Sequence, residues 1–419
     1  MKLPLPAAPA LKTLLLIAAV TTSAMPDCSH ASVQAPIDPQ ASAETRRLHA
    51  HLARLADLDG FAFGNQGDRH SGVGWVDTAD NAGNVPESDI FKITGANAGV
   101  SGYNVDWLFD ADGQPRRDAI RIVGEEVRAA YARGEIITFH WPMTNPETGI
   151  DDRNCDGCSH LINTVLSPNL QGRTGRHYAT WQGWMDTFAD FLRDEAYYND
   201  GRVRKPIPVL FRPWHEMNQG EDGKGRWYQV VNNSTAEYRA LWQQTVRYLR
   251  DTRRVHQLLY VYAPSLNGLA CDGCEPHQAY SANYPGDEWV DVMAGDGYFA
   301  GSDDATRLHN LLQGVSVIVD TAIAHGKISA LSETGFKGGL QDDPHGRFWF
   351  GQWLTALRTL PATSRLSYVM TWTNGGDRVE PKAYVPIPGS REAADFRQFR
   401  DAPETLFADD LLRLFNGAP

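Results

Sequence analysis

The sequence PVLFRPWHE occupies residues 208–216, and ISALSETG occupies residues 328–335. Both stretches contain a short apolar run, which is typical of a strand buried in a parallel sheet. Both then reach a glutamate, Glu216 in the first stretch and Glu333 in the second. A charged side chain at the end of a buried strand is costly unless it opens into a cavity. The two stretches therefore predict buried strands that end at a polar site.

The rest of the chain repeats this pattern. Six further apolar runs of similar length lie at 60–66, 96–103, 135–141, 258–265, 290–298 and 366–374. Amphipathic stretches between them predict helices over 118–133, 181–197, 235–253, 308–325 and 348–360. Eight strands alternating with helices predict an α/β fold, the (β/α)8 or TIM barrel. The alternative, a doubly wound open sheet, needs a glycine-rich phosphate turn after its first strand, and Gly64-x-x-Gly67 lacks that pattern.

The order of the strands predicts where the two glutamates lie. Glu216 ends the fourth predicted strand and Glu333 ends the seventh, so we expect them to face each other across the barrel mouth. The carboxyl ends of the strands carry the chemistry in enzymes of this fold, and a pair of carboxylates is what glycoside hydrolysis requires. Arg212, four residues before Glu216, is predicted to share its face and to pair with a carboxylate in a supporting role.

The composition is that of a globular protein suited to a neutral ligand. Of the 419 residues, 42% are hydrophobic and 21% are charged, which excludes a disordered or fibrous chain. The formal net charge is −12, with 39 Lys and Arg against 51 Asp and Glu, so nucleic acid is not predicted as a partner. The 12 Trp and 15 Tyr residues provide flat aromatic faces of the kind on which sugar rings stack.

The first residues have the features of a secretory signal. Lys2 and Lys12 accompany an apolar run at 14–20, and the small residues of 22–24 follow it. The run is too short to span a bilayer, and small residues of this kind precede a cleavage site. We therefore predict a signal peptide over 1–24 and a secreted or periplasmic protein, with no membrane partner.

Two further segments complete the predicted organisation. Residues 25–43 are rich in Pro, Ala, Ser and Gln, which predicts a linker, and the catalytic domain is predicted over 44–419. Nothing of domain length lies outside that barrel, and a monomer is expected. A lipid anchor at Cys28 is the alternative to free secretion, although residues 25–27 lack the small apolar side chains that such a signal needs.

The cysteines agree with export. Besides Cys28, the chain has two copies of Cys-Asp-Gly-Cys, one from Cys155 to Cys158 and one from Cys271 to Cys274. An Asp-Gly pair favours the tight turn that brings two cysteine Cα atoms within disulfide reach. We predict that each copy closes on itself in a local disulfide. Cross-links between the two loops and a bound metal are the alternatives, but the copies lie much farther apart than the pairs of a zinc ribbon.

At the two glutamate motifs the sequence resembles glycoside hydrolase family 26. The residues that carry the resemblance are His-Glu after FRPW at 211–214 and SETGF at 332–336. Supporting stretches, in the family's order, lie at 63–66, 131–138, 284–292 and 371–374, so that the resemblance covers about 45–415. It implies a retaining (β/α)8 glycosidase, in most members an endo-β-1,4-mannanase, which acts on a polysaccharide and needs no cofactor or metal.

The resemblance also implies roles for individual residues. Glu216 resembles the family's acid/base and Glu333 its nucleophile. His215 matches a histidine that lines the site, and Asp296 and Tyr298 match positions that hold the nucleophile and the substrate. The implied mechanism is a double displacement, in which Glu333 attacks the anomeric carbon and Glu216 first donates and then accepts a proton.

Three more positions are implied around the sugar. His140 matches a histidine that contacts the sugar at the cleavage subsite, and Trp372 matches the aromatic platform beneath that sugar. Trp227 is aligned with an aromatic wall on the leaving-group side, across an insertion at 220–225. The 2-hydroxyl that distinguishes mannose from glucose is expected to be contacted by His140, His215 or Asn218. His140, His215 and Trp372 have packing roles as the alternative reading.

Four other functions remain open from the sequence alone. Within the family, the enzyme could be a β-1,3:1,4-glucanase or a β-1,3-xylanase, because few contacts near the 2-hydroxyl decide the choice. A non-catalytic carbohydrate-binding barrel would use the tryptophans, but it has no need of both Glu216 and Glu333. A metal-dependent hydrolase would use the two Cys-Asp-Gly-Cys loops, and it predicts inhibition by chelators.

Overall fold

Eight parallel strands close into a barrel in the computed structural model of the chain. The structure describes residues 33–415 apart from 59, 78–87, 150–154, 156–157, 221–223, 270–274, 362–364 and 377–379. The barrel strands are β1 Phe61–Gln66, β2 Val100–Asn104, β3 Ile136–Trp141, β4 Val209–Pro213, β5 Leu258–Tyr262, β6 Val292–Asp296, β7 Ile328–Thr334 and β8 Tyr368–Thr371. Each strand pairs with the next, and β8 pairs with β1. The predicted (β/α)8 barrel and all eight of its strands are confirmed.

Helices surround the barrel over its whole circumference. They are α1 Ala43–Asp57, α2 Asp89–Thr94, α3 Arg117–Ala132, α4 Tyr178–Asp194, α5 Thr235–Arg247, α6 Pro276–Ser281, α7 Asp304–His325, α8 Thr355–Leu357, α9 Ala393–Asp401 and α10 Ala408–Phe415. Short two-stranded elements are Ser71–Gly72 with Trp75–Val76, Tyr197–Asp200 with Val203–Pro206, and Gly375–Gly376 with Pro381–Lys382, while Thr405–Leu406 pairs with β1. The predicted helices correspond to α3, α4, α5, α7 and the segment around α8.

Two of these helices differ in detail from the prediction. The helix predicted over 235–253 is α-helical only to Arg247 and continues as a π-helical turn at Tyr248–Thr252, and its N-cap Ser234 forms a reciprocal capping box with Glu237. The segment predicted as a helix over 348–360 begins with π-helical turns at Phe348–Leu354 and has only a short α-helical part. The backbone N–H groups of Phe350 and Gly351 donate to the Asp395 carboxylate on α9, each at 2.9 Å, instead of to helix carbonyls.

The side chains along each strand alternate between the barrel interior and the helices. The interior layer contains small and aliphatic residues such as Ala62, Ile136, Leu210, Ala294 and Ala330. The lower end of this layer is closed by α1, which contributes Leu48, Leu52 and Leu55 at helical spacing. The outward layer is larger and rich in aromatic side chains that pack against the helices. The interior is therefore a packed core, and its charged side chains lie at the upper end.

Part of the predicted linker belongs to the barrel. In residues 33–42, which precede α1, Gln34 N–H donates to Gly326 O at 2.9 Å and Ile37 N–H donates to the Asp291 carboxylate at 2.8 Å. Asp38 accepts from His256 at 2.8 Å. This segment is therefore tied to the lower rim of the barrel. The predicted signal peptide, Cys28, Cys271 and Cys274 lie outside the described residues. No helix within the described ranges is long and apolar enough to cross a membrane.

Candidate active site

The alternation along the strands places four polar or aromatic side chains in the uppermost interior layer. Counting in steps of two from Ile136, Leu210 and Ala294 leads to His140, Arg212 and Asp296, and from Tyr368 it leads to Trp372. His140, Arg212 and Asp296 are all buried. The carboxyl ends of β3, β4, β6 and β8 thus converge on one site at the mouth of the barrel.

Glu333 joins this layer through an irregularity in β7. The register between β6 and β7 shifts after Gly295, so that Asp296 pairs with Glu333 rather than with Ser332. Such a bulge adds one residue to a strand and re-aims the side chain that follows it. Without the shift, alternation from Ala330 would turn Ser332 inward and Glu333 outward. The bulge therefore lets Ser332 reach Asp296 on β6 while Glu333 reaches Arg212 on β4.

Arg212 bridges two buried carboxylates at the floor of the site. Its Nη1 donates to Asp296 Oδ2 at 2.5 Å and its Nη2 donates to Glu333 Oε1 at 2.6 Å. Ser332 Oγ donates to the other Asp296 oxygen at 2.7 Å. Only 4% of the Arg212 side chain is exposed, so the guanidinium compensates two charges in a medium where unpaired charge is costly. The pairing expected for Arg212 from its spacing is present.

Glu333 is held from the other side by a tyrosine. Tyr298 OH donates to Glu333 Oε2 at 2.9 Å, and His215 Nε2 lies 3.9 Å from Glu333 Oε1. Burial, together with the neighbouring Glu333 charge, raises the pKa of Tyr298 well above its ordinary value. The phenol therefore stays protonated and acts as a donor. Both oxygens of Glu333 are thus bound by donors, and the carboxylate is fixed in orientation.

Glu216 occupies a strained turn just beyond β4. Its φ is +54°, and that of Trp214 is +52°, a conformation that side chains other than glycine adopt infrequently. The turn is stabilised because Glu216 N–H donates to Ala263 O at 2.8 Å and Gln229 Nε2 donates to Glu216 O at 2.9 Å. Burial, and then the charge of Glu333, raises the pKa of Glu216 to about 7. Near neutral pH this carboxyl group therefore carries a proton for much of the time.

His140 and Trp372, at the ends of β3 and β8, contact each other at the mouth of the barrel. The His140 ring is 5.4 Å from the Trp372 ring and 5.5 Å from the His215 ring, and Gln66 Nε2 lies 2.7 Å from His140 Nδ1. Burial, and then the charge of Arg212, lowers the pKa of His140 well below its ordinary value, so the imidazole is neutral. Trp372 is only partly buried, which leaves part of the indole open to the cleft.

Comparison with known proteins agrees with this geometry. The sequence profile described as "Glycosyl hydrolase family 26" matches residues 37–352. The chain belongs to glycoside hydrolase family 26. The family inferred from the two glutamate motifs is thereby confirmed.

Individual members of family 26 are similar along most of this chain. A mannan endo-1,4-beta-mannosidase of Bifidobacterium adolescentis is 30% identical over 391 residues, which cover 88% of this chain but 35% of that protein. A modular endo-beta-1,4-mannanase structure from Cellulomonas fimi is 30% identical, with a TM-score of 0.74, and covers 92% of this chain and 80% of its own. A GH26 beta-mannanase structure from Bacteroides ovatus is 28% identical, with a TM-score of 0.72, and covers 88% and 96%. This chain therefore spans little more than a third of the Bifidobacterium relative.

Asp296 has a different place in this family 26 site from the one predicted. It is 1% exposed, and its two oxygens accept from Arg212 and Ser332. It therefore lies beneath the cleft, where it holds Arg212 and does not reach a bound sugar. This position fits the expectation that Asp296 supports Glu333, which it does through Arg212. It does not fit the expectation that Asp296 contacts the substrate.

Two other residues that were predicted to contact the substrate, Trp227 and Asn218, make hydrogen bonds within the protein. Trp227 is 1% exposed, its Nε1 donates to Met143 O at 2.9 Å, and its ring packs against Trp214, so it offers no face to the cleft. Asn218 is partly exposed and is held by Ser265, since Asn218 Nδ2 donates to Ser265 O and Ser265 N–H donates to Asn218 Oδ1, both at 2.8 Å. These two hydrogen bonds connect the turn after β4 to the turn after β5.

Several site residues were not predicted from the sequence. Gln219 Nε2 donates to Glu216 Oε1 at 2.6 Å, and Gln229 supports the Glu216 backbone. Asn65 Nδ2 donates to Trp372 O at 2.8 Å and to Thr371 Oγ1 at 2.6 Å, so it fixes the end of β8, which positions Trp372. The available signal was position: Gln219 lies one turn after Glu216, and Asn65 lies at the end of β1.

The first Cys-Asp-Gly-Cys loop lies on the wall next to Glu216. The Cα atoms of Cys155 and Cys158 are 5.6 Å apart, which is within the range of a disulfide. Asn145 Nδ2 contacts both sulfur atoms, at 3.3 and 3.4 Å. Cys155 N–H donates to Gly225 O at 3.0 Å, which connects this loop to the loop that follows Glu216. The second loop lies outside the described residues.

His215, Asp296 and Glu333 form the one group of metal-ligand type found among the described residues, with ligand atoms within 4.8 Å of one another. Arg212 already donates to both carboxylates in this group. A cation placed there would have to displace the guanidinium, so the donor set does not fit a metal ion well.

Proposed function

We propose that this protein is a secreted, retaining endo-β-1,4-mannanase that cleaves mannan-type polysaccharides by double displacement. The main support for this proposal is that the carboxyl groups of Glu216, beyond β4, and Glu333, at the end of β7, have different surroundings. Glu333 receives hydrogen bonds on both oxygens, from Arg212 and Tyr298, as suits a carboxylate nucleophile. Glu216 has a pKa raised to about 7, as suits a general acid. The names of the family 26 relatives supply the substrate class.

In the first step Glu333 attacks the anomeric carbon of the sugar whose bond is cleaved. The C–O bond to the leaving sugar breaks, and Glu216 transfers its proton to the departing oxygen. A covalent glycosyl ester on Glu333 results. Arg212 and Tyr298 keep the carboxylate aimed at the carbon, so little reorganisation is needed when the bond forms.

In the second step Glu216, now a carboxylate, removes a proton from water. The hydroxide equivalent attacks the anomeric carbon from the side that the leaving group vacated, and the ester bond to Glu333 breaks. Two inversions give net retention of configuration. The two carboxyl groups are expected to lie about 5–5.5 Å apart for this chemistry, which stays a prediction.

Trp372 and His140 are proposed to bind the sugar at the cleavage point. Trp372 offers a partly open indole for stacking, and the neutral His140 next to it can donate to or accept from a hydroxyl group. His215, between His140 and Glu333, is the nearest candidate for the 2-hydroxyl contact. Contacts at that hydroxyl strengthen in the transition state and discriminate mannose from glucose.

We also propose that residues 1–24 direct export and that each Cys-Asp-Gly-Cys loop forms a local disulfide. The Cα separation of Cys155 and Cys158 supports the first of these bridges. The bridge would stiffen the wall that carries Gly225, next to the Glu216 turn.

The proposed function is tested by parallel digestion of β-1,4-mannan, mixed-linkage glucan and β-1,3-xylan. We expect mannan to be preferred by orders of magnitude in kcat/KM, internal cleavage to yield oligosaccharides, and proton NMR to show the β-anomer first. A better rate on glucan or xylan would reassign the substrate within the family. Binding without hydrolysis would instead indicate a carbohydrate-binding barrel.

A further inference from the structure

The side-chain amide of Gln219 lies against the carboxyl group of Glu216. Gln219 Nε2 donates to Glu216 Oε1 at 2.6 Å and to Ser265 Oγ at 3.1 Å, so both N–H groups of one nitrogen have acceptors. The Gln219 backbone N–H also donates to Glu216 O at 3.1 Å, which closes the turn between them. The amide is thus held at a fixed position relative to one particular oxygen of the acid/base.

This contact restricts where Glu216 can carry its proton. An N–H donor needs a lone pair on Oε1, and a proton on Oε1 directed at the same nitrogen would clash with it. Oε1 therefore accepts from Gln219 whether or not the carboxyl group is protonated. Because the carbonyl oxygen of a protonated carboxyl group is a better acceptor than its hydroxyl oxygen, the contact favours a proton on Oε2 over one on Oε1.

The position of Gln219 is tied to the strand ends that hold Glu333. Ser265 is completely buried and forms a parallel bridge with Asp296, the carboxylate that pairs with Arg212. Asn218 exchanges two hydrogen bonds with the Ser265 backbone. Ser265 therefore connects the Gln219 amide, which contacts Glu216, to Asp296 and Arg212, which fix Glu333.

We propose that Gln219 is a positioning residue that keeps the catalytic proton of Glu216 on Oε2 and steadies the carboxylate form when Glu216 acts as a base. The inference rests on the proposed function, in which Glu216 is the acid/base. It adds a residue that tunes both halves of the double displacement. Since a hydrogen bond to the charged form favours that form, loss of the amide raises the pKa of Glu216.

The test compares pH profiles of kcat/KM on mannan for the wild type, Gln219→Met and Gln229→Met. Methionine has a similar length but no donor. We expect the alkaline limb of Gln219→Met to move up by about half a unit to one unit, the size typical of losing one charge-assisted bond. Gln229→Met loses a bond to the Glu216 backbone and not to its carboxyl group, so its alkaline limb should stay at the wild-type position. Gln219→Glu places a second carboxyl group there and should move the limb further upward.

A second readout isolates the base step. With an aryl glycoside that has a good leaving group, hydrolysis of the glycosyl-enzyme limits the rate, and Gln219→Met should lower kcat there as well. Ser265→Ala removes the other acceptor of the amide and should shift the limb in the same direction by less, which covers the case in which Gln219→Met does not fold. A limb that does not move, or moves to lower pH, in folded Gln219→Met and Ser265→Ala overturns the inference. Failure of the wild type to hydrolyse mannan at all would instead overturn the proposed function.

Discussion

Arg212 and Glu333 form a buried ion pair at the floor of the cleft, with Nη2 2.6 Å from Oε1. Their strands are not neighbours, since β4 and β7 are separated by β5 and β6. The guanidinium reaches across the barrel interior and meets Asp296 of β6 on the way. Glu216, by contrast, receives its direct side-chain hydrogen bond from the neutral amide of Gln219. Arg212 thus donates directly to the proposed nucleophile, whereas the proposed acid receives a neutral donor.

Replacement of Arg212 by methionine should damage both stability and activity. It leaves Asp296 and Glu333 buried without their common cation, and breaking such a pair typically costs about 3–5 kcal/mol. Arg212→Lys keeps the charge but lacks the planar fork, so it should restore part of the stability and little of kcat. Urea unfolding and kcat on mannan measure the two effects. Equal stability of the methionine variant and the wild type would contradict the role assigned to this pair.

Tyr298→Phe should lower kcat without altering the fold. The substitution deletes only the hydroxyl group that donates to Glu333 Oε2. Loss of one donor to a reacting carboxylate costs on the order of 10²-fold in rate when that donor stabilises the transition state. Tyr384→Phe is the matched control, because its ring contacts Tyr298 at 5.9 Å but is not the donor to that oxygen. We expect kcat, and not KM, to separate the two variants.

The barrel could be predicted because each of its strands is a compact apolar run. The segments that close its lower end could not. In α1 the residues that enter the core, Leu48, Leu52 and Leu55, form a narrow stripe among charged side chains. The segment 33–42 is held by Asp291 and His256, more than 200 positions along the chain. Contacts of that range leave no local periodicity in the sequence.

The site was predictable as far as strand ends and spacing determine it. The position of Arg212 beneath the carboxylates follows from counting along one strand. The exposure of Trp227 does not, because it depends on how the loop after Glu216 folds, and that loop turns the indole into the core. The two hydrogen bonds between the Asn218 amide and the Ser265 backbone of the neighbouring turn were not predictable for a related reason, since they depend on how two separate turns meet.

Alanine substitutions at the two glutamates should give different kinetic signatures. Glu333→Ala should lose turnover on every substrate, because no covalent intermediate can form. Glu216→Ala should still hydrolyse aryl glycosides slowly, since a good leaving group needs little protonation. Azide should accelerate the Glu216 variant by attacking its glycosyl-enzyme and should give a glycosyl azide of retained configuration. The same response to azide in both variants would reverse or remove the assigned roles.

Removal of the first cysteine pair should affect binding more than stability. The loop between Cys155 and Cys158 is so short that the entropy gained from cross-linking the unfolded chain is small, on the order of 2 kcal/mol or less. Its backbone nonetheless bonds to Gly225, beside the cleft. We expect Cys155→Ser/Cys158→Ser to raise KM for mannan while the Tm changes by a few degrees at most. Free thiols, or bound zinc, in the protein purified without reductant would contradict the disulfide.

The pH dependence of activity provides the most direct check on the acid. Burial and the charge of Glu333 raise the pKa of Glu216 to about 7, so the carboxyl group is protonated below that pH and ionised above it. A general acid works only while protonated, so kcat/KM on mannan should fall above about pH 7, by roughly tenfold for each further unit. An aryl glycoside with a good leaving group does not need the proton, and its kcat/KM should stay flat over the same range.

Stability follows the same group with the sign of a raised pKa. The favourable contribution of the protonated form is complete below the unfolded-state value near 4.5 and is lost as the pH rises through about 7. Glu216→Gln, which cannot ionise, should therefore gain stability relative to the wild type at pH 8 and lose that advantage at pH 4. A mannan profile that stays flat beyond pH 8, with the aryl glycoside falling instead, would show that another group supplies the proton.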